Sequence, residues 1–187
     1  MAKQRKSGRR PFRFPEKNAA SQIQRLQPEE IKNDRLFISR DLLARTVEGL
    51  RARSEGWRES GAIWIGHLTD ADSIVEDVLF YHDLCDDKGH SLSLELSESA
   101  KYSLYANMAS QGKKLVGMIH THPRDWVGLS LVDQANQLCS RIGFWSLVLP
   151  HYGTRPWSID STGVHIRVDS GWYRFTRADA RKRIVTQ

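Results

Sequence analysis

The sequence predicts a single α/β (α+β) domain in which a mixed β-sheet is flanked by helices. Short apolar runs typical of strands alternate with helix-like stretches, but without the regular rhythm of βαβ units. The chain has 187 residues, of which 40% are hydrophobic, and this length suits one hydrophobic core. We expect that domain over residues 35–178, preceded by an arm (residues 1–34) and followed by a C-terminal tail (residues 179–187).

The first half of the domain begins with a short strand and a helix. An apolar stripe predicts a helix over Asp41–Arg53, with Ser39 or Asp41 as its N-cap. The predicted strands of this half are Leu36–Ile38, Ala62–Ile65 and Ser73–Tyr81. Residues 82–96 are polar and irregular, which is typical of a loop.

The second half resumes with a helix over Ser97–Ser110, for which Ser97 is the expected N-cap and Gly112 marks the end. A third helix is predicted over Ser130–Arg141. The predicted strands are Lys114–His120, Phe144–Leu149, Trp157–Ile159, Val164–Val168 and Trp172–Phe175. Trp64 and Trp145 lie in apolar runs, so we expect both in the core.

The net charge of +6 is concentrated in the N-terminal arm. Residues 1–14 contain six basic residues and no acid, which leaves 22 basic and 22 acidic residues in the rest of the chain. Such a segment is typically a solvated, disordered arm. A nucleic-acid partner is therefore expected only through this arm, because charge alone provides no specificity.

Cysteine usage and hydropathy predict a cytoplasmic protein. Cys85 and Cys139 form no disulfide framework, which fits two free thiols in a reducing compartment. The sequence contains no run of 18 apolar residues, so we expect no membrane span, and its N-terminus lacks the apolar stretch of a secretory signal.

The motif that indicates chemistry is H-x-H-x7-S-x2-D, formed by His120, His122, Ser130 and Asp133. Residues two apart on a strand face the same way, so both histidines can reach one metal ion, and Asp133 lies one turn into the following helix. Two imidazoles and a carboxylate leave a fourth position for water, as in catalytic zinc sites. The alternatives are histidines that end a core strand and a capping box of Ser130 with Asp133. The capping role can coexist with metal binding.

This motif resembles the signature of the JAB/JAMM (MPN-type) zinc metallopeptidases. That family also places a glutamate before a strand, often in an E-x-G-x-x-x-G element, and Glu59 to Gly66 resembles that element. The resemblance covers residues 35–175 and implies a cytidine-deaminase-like fold with a mixed, mostly antiparallel sheet. Glu76, Glu95 and Glu98 are the rivals of Glu59 for the role of general base, but none of them precedes a glycine-punctuated strand.

The resemblance also implies the role of each residue. His120, His122 and Asp133 would hold one catalytic Zn²⁺, Glu59 would be the general base, and Ser130 would donate a hydrogen bond to the oxyanion. The implied activity is cleavage after the C-terminal tail of a ubiquitin-like protein. Small stand-alone members of the family resemble bacterial deubiquitinase-like proteins found beside E1-like and E2-like proteins, some of them in antiphage systems. The alternatives are processing of a sulfur-carrier protein and a non-catalytic MPN scaffold.

Two further features of the sequence bear on function. Trp126 lies inside the motif and is a candidate substrate-binding residue, with a core or lid position as the alternative. The cluster of His82, Cys85, Asp86, Asp87 and His90 lacks the paired spacing of established structural metal sites, so we interpret it as a solvated loop.

Overall fold

In the residues that the structure describes, eight strands form one mixed sheet with helices on both faces. The structure is a computed structural model, which describes residues 35–84, 96–135 and 138–187. The strands are β1 (Arg35–Ile38), β2 (Gly61–Leu68), β3 (Asp72–Phe80), β4 (Lys114–Thr121), β5 (Trp145–Leu149), β6 (Gly163–Val168), β7 (Gly171–Arg174) and β8 (Ile184–Thr186). The helices are α1 (Arg40–Ser54), α2 (Tyr81–Leu84), α3 (Glu98–Ser110), α4 (Leu131–Ala135) and α5 (Arg177–Arg183).

The strand order is β7-β6-β5-β4-β2-β3-β1-β8, and it brings the predicted site to one edge of the central strands. The β2–β3, β2–β4, β5–β6 and β6–β7 pairs are antiparallel, whereas β1–β3, β1–β8 and β4–β5 are parallel. The predicted mixed, mostly antiparallel sheet is confirmed among the described strands. Because β4 and β5 are parallel, their carboxyl ends meet, and His120 lies opposite Val148 there.

Successive side chains along a strand point to opposite faces of the sheet, so the core is divided into one cluster on each face. Trp64 and Val116 face the cluster that includes Leu50 of α1. Their neighbours Ile63 and Leu115 face a smaller cluster that includes Leu104 of α3. Trp64 and Trp145 are fully buried, which confirms the prediction that both belong to the core.

The first two predicted helices and their caps are confirmed. The backbone N–H of Leu42 donates to Ser39 Oγ at 3.1 Å, and that of Ala100 donates to Ser97 Oγ at 3.2 Å. The predicted irregular segment 82–96 differs at its beginning, where α2 spans Tyr81–Leu84. Residues 85–95 lie outside the described part of the chain.

The third helix is shorter than the predicted Ser130–Arg141. Helix α4 spans Leu131–Ala135, and the chain is no longer helical from Leu138 to Arg141. Leu138 is buried in the smaller cluster, and its carbonyl accepts a hydrogen bond from the Tyr105 hydroxyl. The Arg141 guanidinium donates to the Leu115 carbonyl. These tertiary contacts override the local helical preference.

The predicted strand Trp157–Ile159 is wrong. Ile159–Ser161 forms a 3₁₀ turn instead. The Ser158 hydroxyl accepts the N–H of Asp160, and the Ser158 carbonyl accepts the hydroxyl of Thr162. Such local hydrogen bonds from serine and threonine compete with strand pairing.

The segment predicted as a C-terminal tail, residues 179–187, instead continues the domain. Most of helix α5 lies within it, and Ala180 packs into the larger core cluster. Strand β8 then pairs in parallel with β1, with Leu36 opposite Ile184. The predicted arm, residues 1–34, lies outside the described residues. None of the described helices has both the length and the apolar character needed to cross a bilayer.

Candidate metal centre

The end of β4 carries both motif histidines to one edge of the sheet. His120 lies opposite Gly61 of β2, and His122 follows the last residue of β4. The His122 N–H continues the pairing by donating to the Leu149 carbonyl at 2.8 Å. Because the two residues face the same way, their Nε2 atoms are 3.2 Å apart. Both side chains are buried.

Asp133 reaches the histidines from the first turn of α4. The Asp133 N–H donates to Ser130 Oγ at 3.0 Å, and the Ser130 N–H donates to Asp133 Oδ2 at 2.6 Å. This reciprocal pair is the predicted capping box. It aims the carboxylate at the histidines, with Oδ1 3.5 Å from His120 Nε2 and Oδ2 3.4 Å from His122 Nε2. The cap therefore positions a third candidate ligand.

The spacing of these atoms fits a tetrahedral metal ion. One ligand atom from each of His120, His122 and Asp133 lies within 4.8 Å of the others. Among the described residues, these three form a cluster of His, Cys, Asp or Glu side chains that could hold a metal ion. Ligand bonds of about 2.0–2.1 Å to a tetrahedral zinc ion separate the ligand atoms by about 3.3–3.4 Å. The two Nε2 atoms are 3.2 Å apart, close to that value, and they lie 3.5 and 3.4 Å from the two different oxygens of the Asp133 carboxylate. The residues present thus fit a zinc ion.

The charges of the cluster support cation binding. Burial acts to raise the pKa of Asp133, but hydrogen bonds from His120, His122 and Ser130 hold it well below its ordinary value. Burial acts to lower the pKa of His122, yet the hydrogen bond and the charge of Asp133 raise it overall. The carboxylate is therefore ionised at neutral pH, as a metal ligand must be.

Glu59 is brought to the same edge by the junction before β2. The neighbouring Ser60 accepts the Thr121 N–H at 2.9 Å, and its own N–H donates to Thr121 Oγ1 at 2.9 Å. Burial raises the pKa of Glu59, while the charges of His122 and His120 lower it and that of Asp133 raises it. Glu59 is therefore within electrostatic reach of all three candidate ligands.

The rival glutamates in the described residues are engaged elsewhere. Glu76 pairs with His67 at 2.8 Å, and Glu98 pairs with Lys101 at 2.7 Å. Glu95 lies outside the described residues, as do all members of the second cluster except His82, a half-buried residue of α2. The role of Glu59 as general base stays a prediction.

Trp126 is 54% exposed, so the core alternative for this residue is wrong. Its ring stacks on the imidazole of His122, and its carbonyl contacts His122 Nδ1. Sequence reasoning did not foresee this contact, because no spacing rule links a loop tryptophan to a strand histidine. Contact of Trp126 with a substrate stays a prediction.

A left-handed turn fastens the loop that follows His122. His151, Tyr152 and Gly153 have φ angles of +53°, +55° and +67°. The Tyr152 N–H donates to the His122 carbonyl at 2.8 Å, and the His151 imidazole pairs with Asp125. Left-handed non-glycine residues are costly and persist where surrounding contacts hold them. No sequence signal at His151 or Tyr152 indicated this turn.

Strand β6 presses against the same loop at Gly163. A Cβ atom on Gly163 would lie 1.9 Å from the carbonyl oxygen of Val127. We expect Gly163→Ala to displace the loop, lower the free energy of unfolding by about 1–3 kcal/mol, and weaken zinc binding because Trp126 moves with Val127. Urea unfolding and zinc titration measure the two effects.

Gly112→Ala is the matched control for Gly163→Ala. Gly112 has a φ of +66° and no atom within 4 Å of a built Cβ, so the substitution strains the backbone without displacing a neighbour. It should lose stability but keep the zinc affinity of the wild type. Wild-type zinc affinity in Gly163→Ala would show that the loop does not position the centre.

His165 lies on the face of the sheet that carries His120, one strand beyond β5. Its Nδ1 donates to the Ser146 carbonyl at 3.2 Å. Burial lowers its pKa to about 3 from the ordinary 6.5, assisted by the charge of Arg174. Between these values the unfolded chain binds a proton that the folded chain does not. The stability that depends on neutral His165 is therefore present above pH 6.5 and lost as the pH falls toward 3.

We expect His165→Asn to flatten the pH dependence of stability in this window. The asparagine amide keeps a donor near the Nδ1 position but does not titrate. The slope of the unfolding free energy should decrease by up to about 1.4 kcal/mol per pH unit. Urea unfolding at several pH values measures it, and parallel curves for the two proteins would contradict the prediction.

Comparison with known proteins shows the fold. No protein-family model matches the chain, and no curated protein sequence does. A solved structure of a Desulfitobacterium hafniense protein is 15% identical, with a TM-score of 0.55 over 81% of this chain and 92% of the other. One from Salinibacter ruber is 18% identical, with a TM-score of 0.50 over 76% and 88%. The chain shares its fold with both. A JAB1/MPN domain protein from Archaeoglobus fulgidus is 17% identical, with a TM-score of 0.43 over 76% and 93%.

Proposed function

We propose that this chain is a zinc-dependent peptidase of the JAB/JAMM type. The observation that carries the proposal is the cluster of His120, His122 and Asp133, whose ligand atoms lie within 4.8 Å of one another, with Glu59 close enough for their charges to change its pKa. A structural zinc site usually has four protein ligands. The described residues supply three at this point together with a nearby carboxylate, which is the composition of a hydrolytic site.

His120, His122 and Asp133 would hold the ion. Zinc supplies Lewis-acid chemistry when bound, polarising a carbonyl and lowering the pKa of a coordinated water from about 15.7 to about 7. Glu59 takes the proton of the attacking water and later delivers it to the leaving amine. Its partial burial suits this role, because a carboxylate with a raised pKa is a stronger base than one in water.

Ser130 serves both the helix and the reaction in this mechanism. Its oxygen accepts the Asp133 N–H, and its hydroxyl, whose hydrogen bond helps to lower the pKa of Asp133, would turn to donate to the substrate. That hydrogen stabilises the oxyanion that forms when water attacks the scissile carbonyl. Removal of one such donor typically costs about 2.7–4 kcal/mol of transition-state stabilisation.

The substrate we propose is the C-terminal tail of a ubiquitin-like protein, joined through a peptide or isopeptide bond to a second group. The two candidate histidine ligands are buried and Asp133 is half-buried, whereas Trp126, Leu131 and Val132 nearby are exposed. An extended tail with small residues at the scissile bond suits access to such a buried centre. E1-like and E2-like proteins of the same conjugation system are the proposed partners.

The test is to incubate the zinc-loaded protein with a panel of substrates of two types and to measure their cleavage. One set carries linear C-terminal extensions on ubiquitin-like and sulfur-carrier proteins, and the other carries ubiquitin-like proteins conjugated to lysine. We expect cleavage at the end of the ubiquitin-like tail, lost on chelation and restored by zinc. Cleavage of the sulfur-carrier fusions alone would identify a sulfur-carrier protein as the substrate. Zinc-loaded protein that cuts neither set would contradict the peptidase proposal.

A further inference from the structure

Trp126 contacts His122 through two separate parts of the residue. Its carbonyl oxygen is 3.0 Å from His122 Nδ1. Its indole ring stacks on the imidazole, with ring centroids 5.1 Å apart and planes inclined by 12°. A backbone contact and a ring contact therefore act on one imidazole.

Gly128 lies directly against the indole ring of Trp126. A Cβ atom on Gly128 would lie 2.7 Å from Cζ2 and 2.9 Å from Cε2 of Trp126. A contact under 3.0 Å forces one group to move, and the aromatic ring is rigid. The absence of a side chain at Gly128 thus allows Trp126 to lie flat against His122.

These contacts constrain both the tautomer of the His122 imidazole and the orientation of its ring plane. A carbonyl oxygen can only accept, so Nδ1 must carry the hydrogen, and in the neutral ring Nε2 keeps its lone pair. The Nε2 atom is the one that faces His120 and Asp133. The stacked indole opposes rotation of the imidazole out of that plane.

We propose that Trp126 is a positioning residue for His122, with its carbonyl setting the tautomer and its indole, seated on Gly128, setting the ring plane. The inference rests on the proposed metal centre and goes beyond it, since it assigns to Trp126 and Gly128 a part in metal affinity. Partners of this kind around a metal-binding histidine typically contribute 10–100-fold to affinity.

The experiment measures zinc affinity of the full chain by competition with a chromophoric chelator. Trp126→Ala removes the ring, Trp126→Phe keeps a smaller one, and Gly128→Ala displaces the indole without altering it. We expect Trp126→Ala and Gly128→Ala to weaken zinc binding by about 10–100-fold, with Trp126→Phe close to wild type. Trp57→Ala is the matched control, because Trp57 is 60% exposed and its indole donates to Glu55.

A second measurement separates this inference from the proposed function. In the zinc-free protein, ¹⁵N spectra of the imidazoles should show His122 protonated on Nδ1, and Gly128→Ala should shift its signals while thermal unfolding reports that the variant is folded. Wild-type zinc affinity in Trp126→Ala, with only KM raised, would overturn the inference and leave Trp126 as a substrate contact. Zinc binding without any cleavage would overturn the proposed function alone.

Discussion

Glu59→Gln is expected to lower the rate of tail cleavage by about 10²–10⁴-fold without changing the zinc content. Glutamine has nearly the same shape as glutamate but cannot accept the proton of the attacking water. The contacts of Ser60 with Thr121 should be unaffected. The loss should therefore appear in kcat, with the affinity for zinc and the thermal stability of the wild type retained.

Single-turnover cleavage and zinc titration of the same preparations measure this prediction. Glu76→Gln is the matched control, because Glu76 was a rival base and its carboxylate pairs with His67 on the surface of the sheet. It should cleave at the wild-type rate. Near-normal cleavage by Glu59→Gln would mean that another group removes the proton, and loss in both variants would point to a general effect of charge.

Asp133→Asn is expected to weaken zinc binding by more than about 100-fold, beyond the range seen when an outer-shell partner of a metal ligand is lost. The asparagine side chain has no charge to balance the ion. Its amide oxygen can still accept the Ser130 N–H, so the first turn of α4 should be retained. Metal binding and helix capping, which coincide in Asp133, are thereby separated.

Ser130→Ala is the complementary variant for that experiment. It removes the oxygen that accepts the Asp133 N–H, and loss of such a cap typically costs about 0.5–2 kcal/mol of stability. We expect lower stability and slower cleavage but a much smaller loss of zinc affinity than in Asp133→Asn. If Asp133→Asn bound zinc as tightly as the wild type, Asp133 would not be a ligand, and capping alone would explain Ser130 and Asp133 in the motif.

Much of the fold was predictable because its patterns are local. The strand runs around Trp64 and Trp145 are continuous and apolar, as expected for strands covered on both faces, and the caps at Ser39 and Ser97 mark where helices begin. The predicted fold class is confirmed on these grounds. The errors fall where distant contacts decide. The Tyr105 hydroxyl donates to the Leu138 carbonyl within the segment predicted as the third helix. Strand β8, in the segment predicted as a tail, pairs with β1.

The members of the candidate metal centre could be proposed from local patterns along the chain. Two-residue spacing on a strand places His120 and His122 on one face, and the capping box turns Asp133 inward, so periodicity and local hydrogen bonding suffice. The surroundings of the candidate ligands depend on the tertiary structure. The indole of Trp126 lies on His122 because Gly128 leaves room for it, and β6 can press on the loop because residue 163 is a glycine. Such contacts depend on how separate segments meet in space, which no periodicity along the chain encodes.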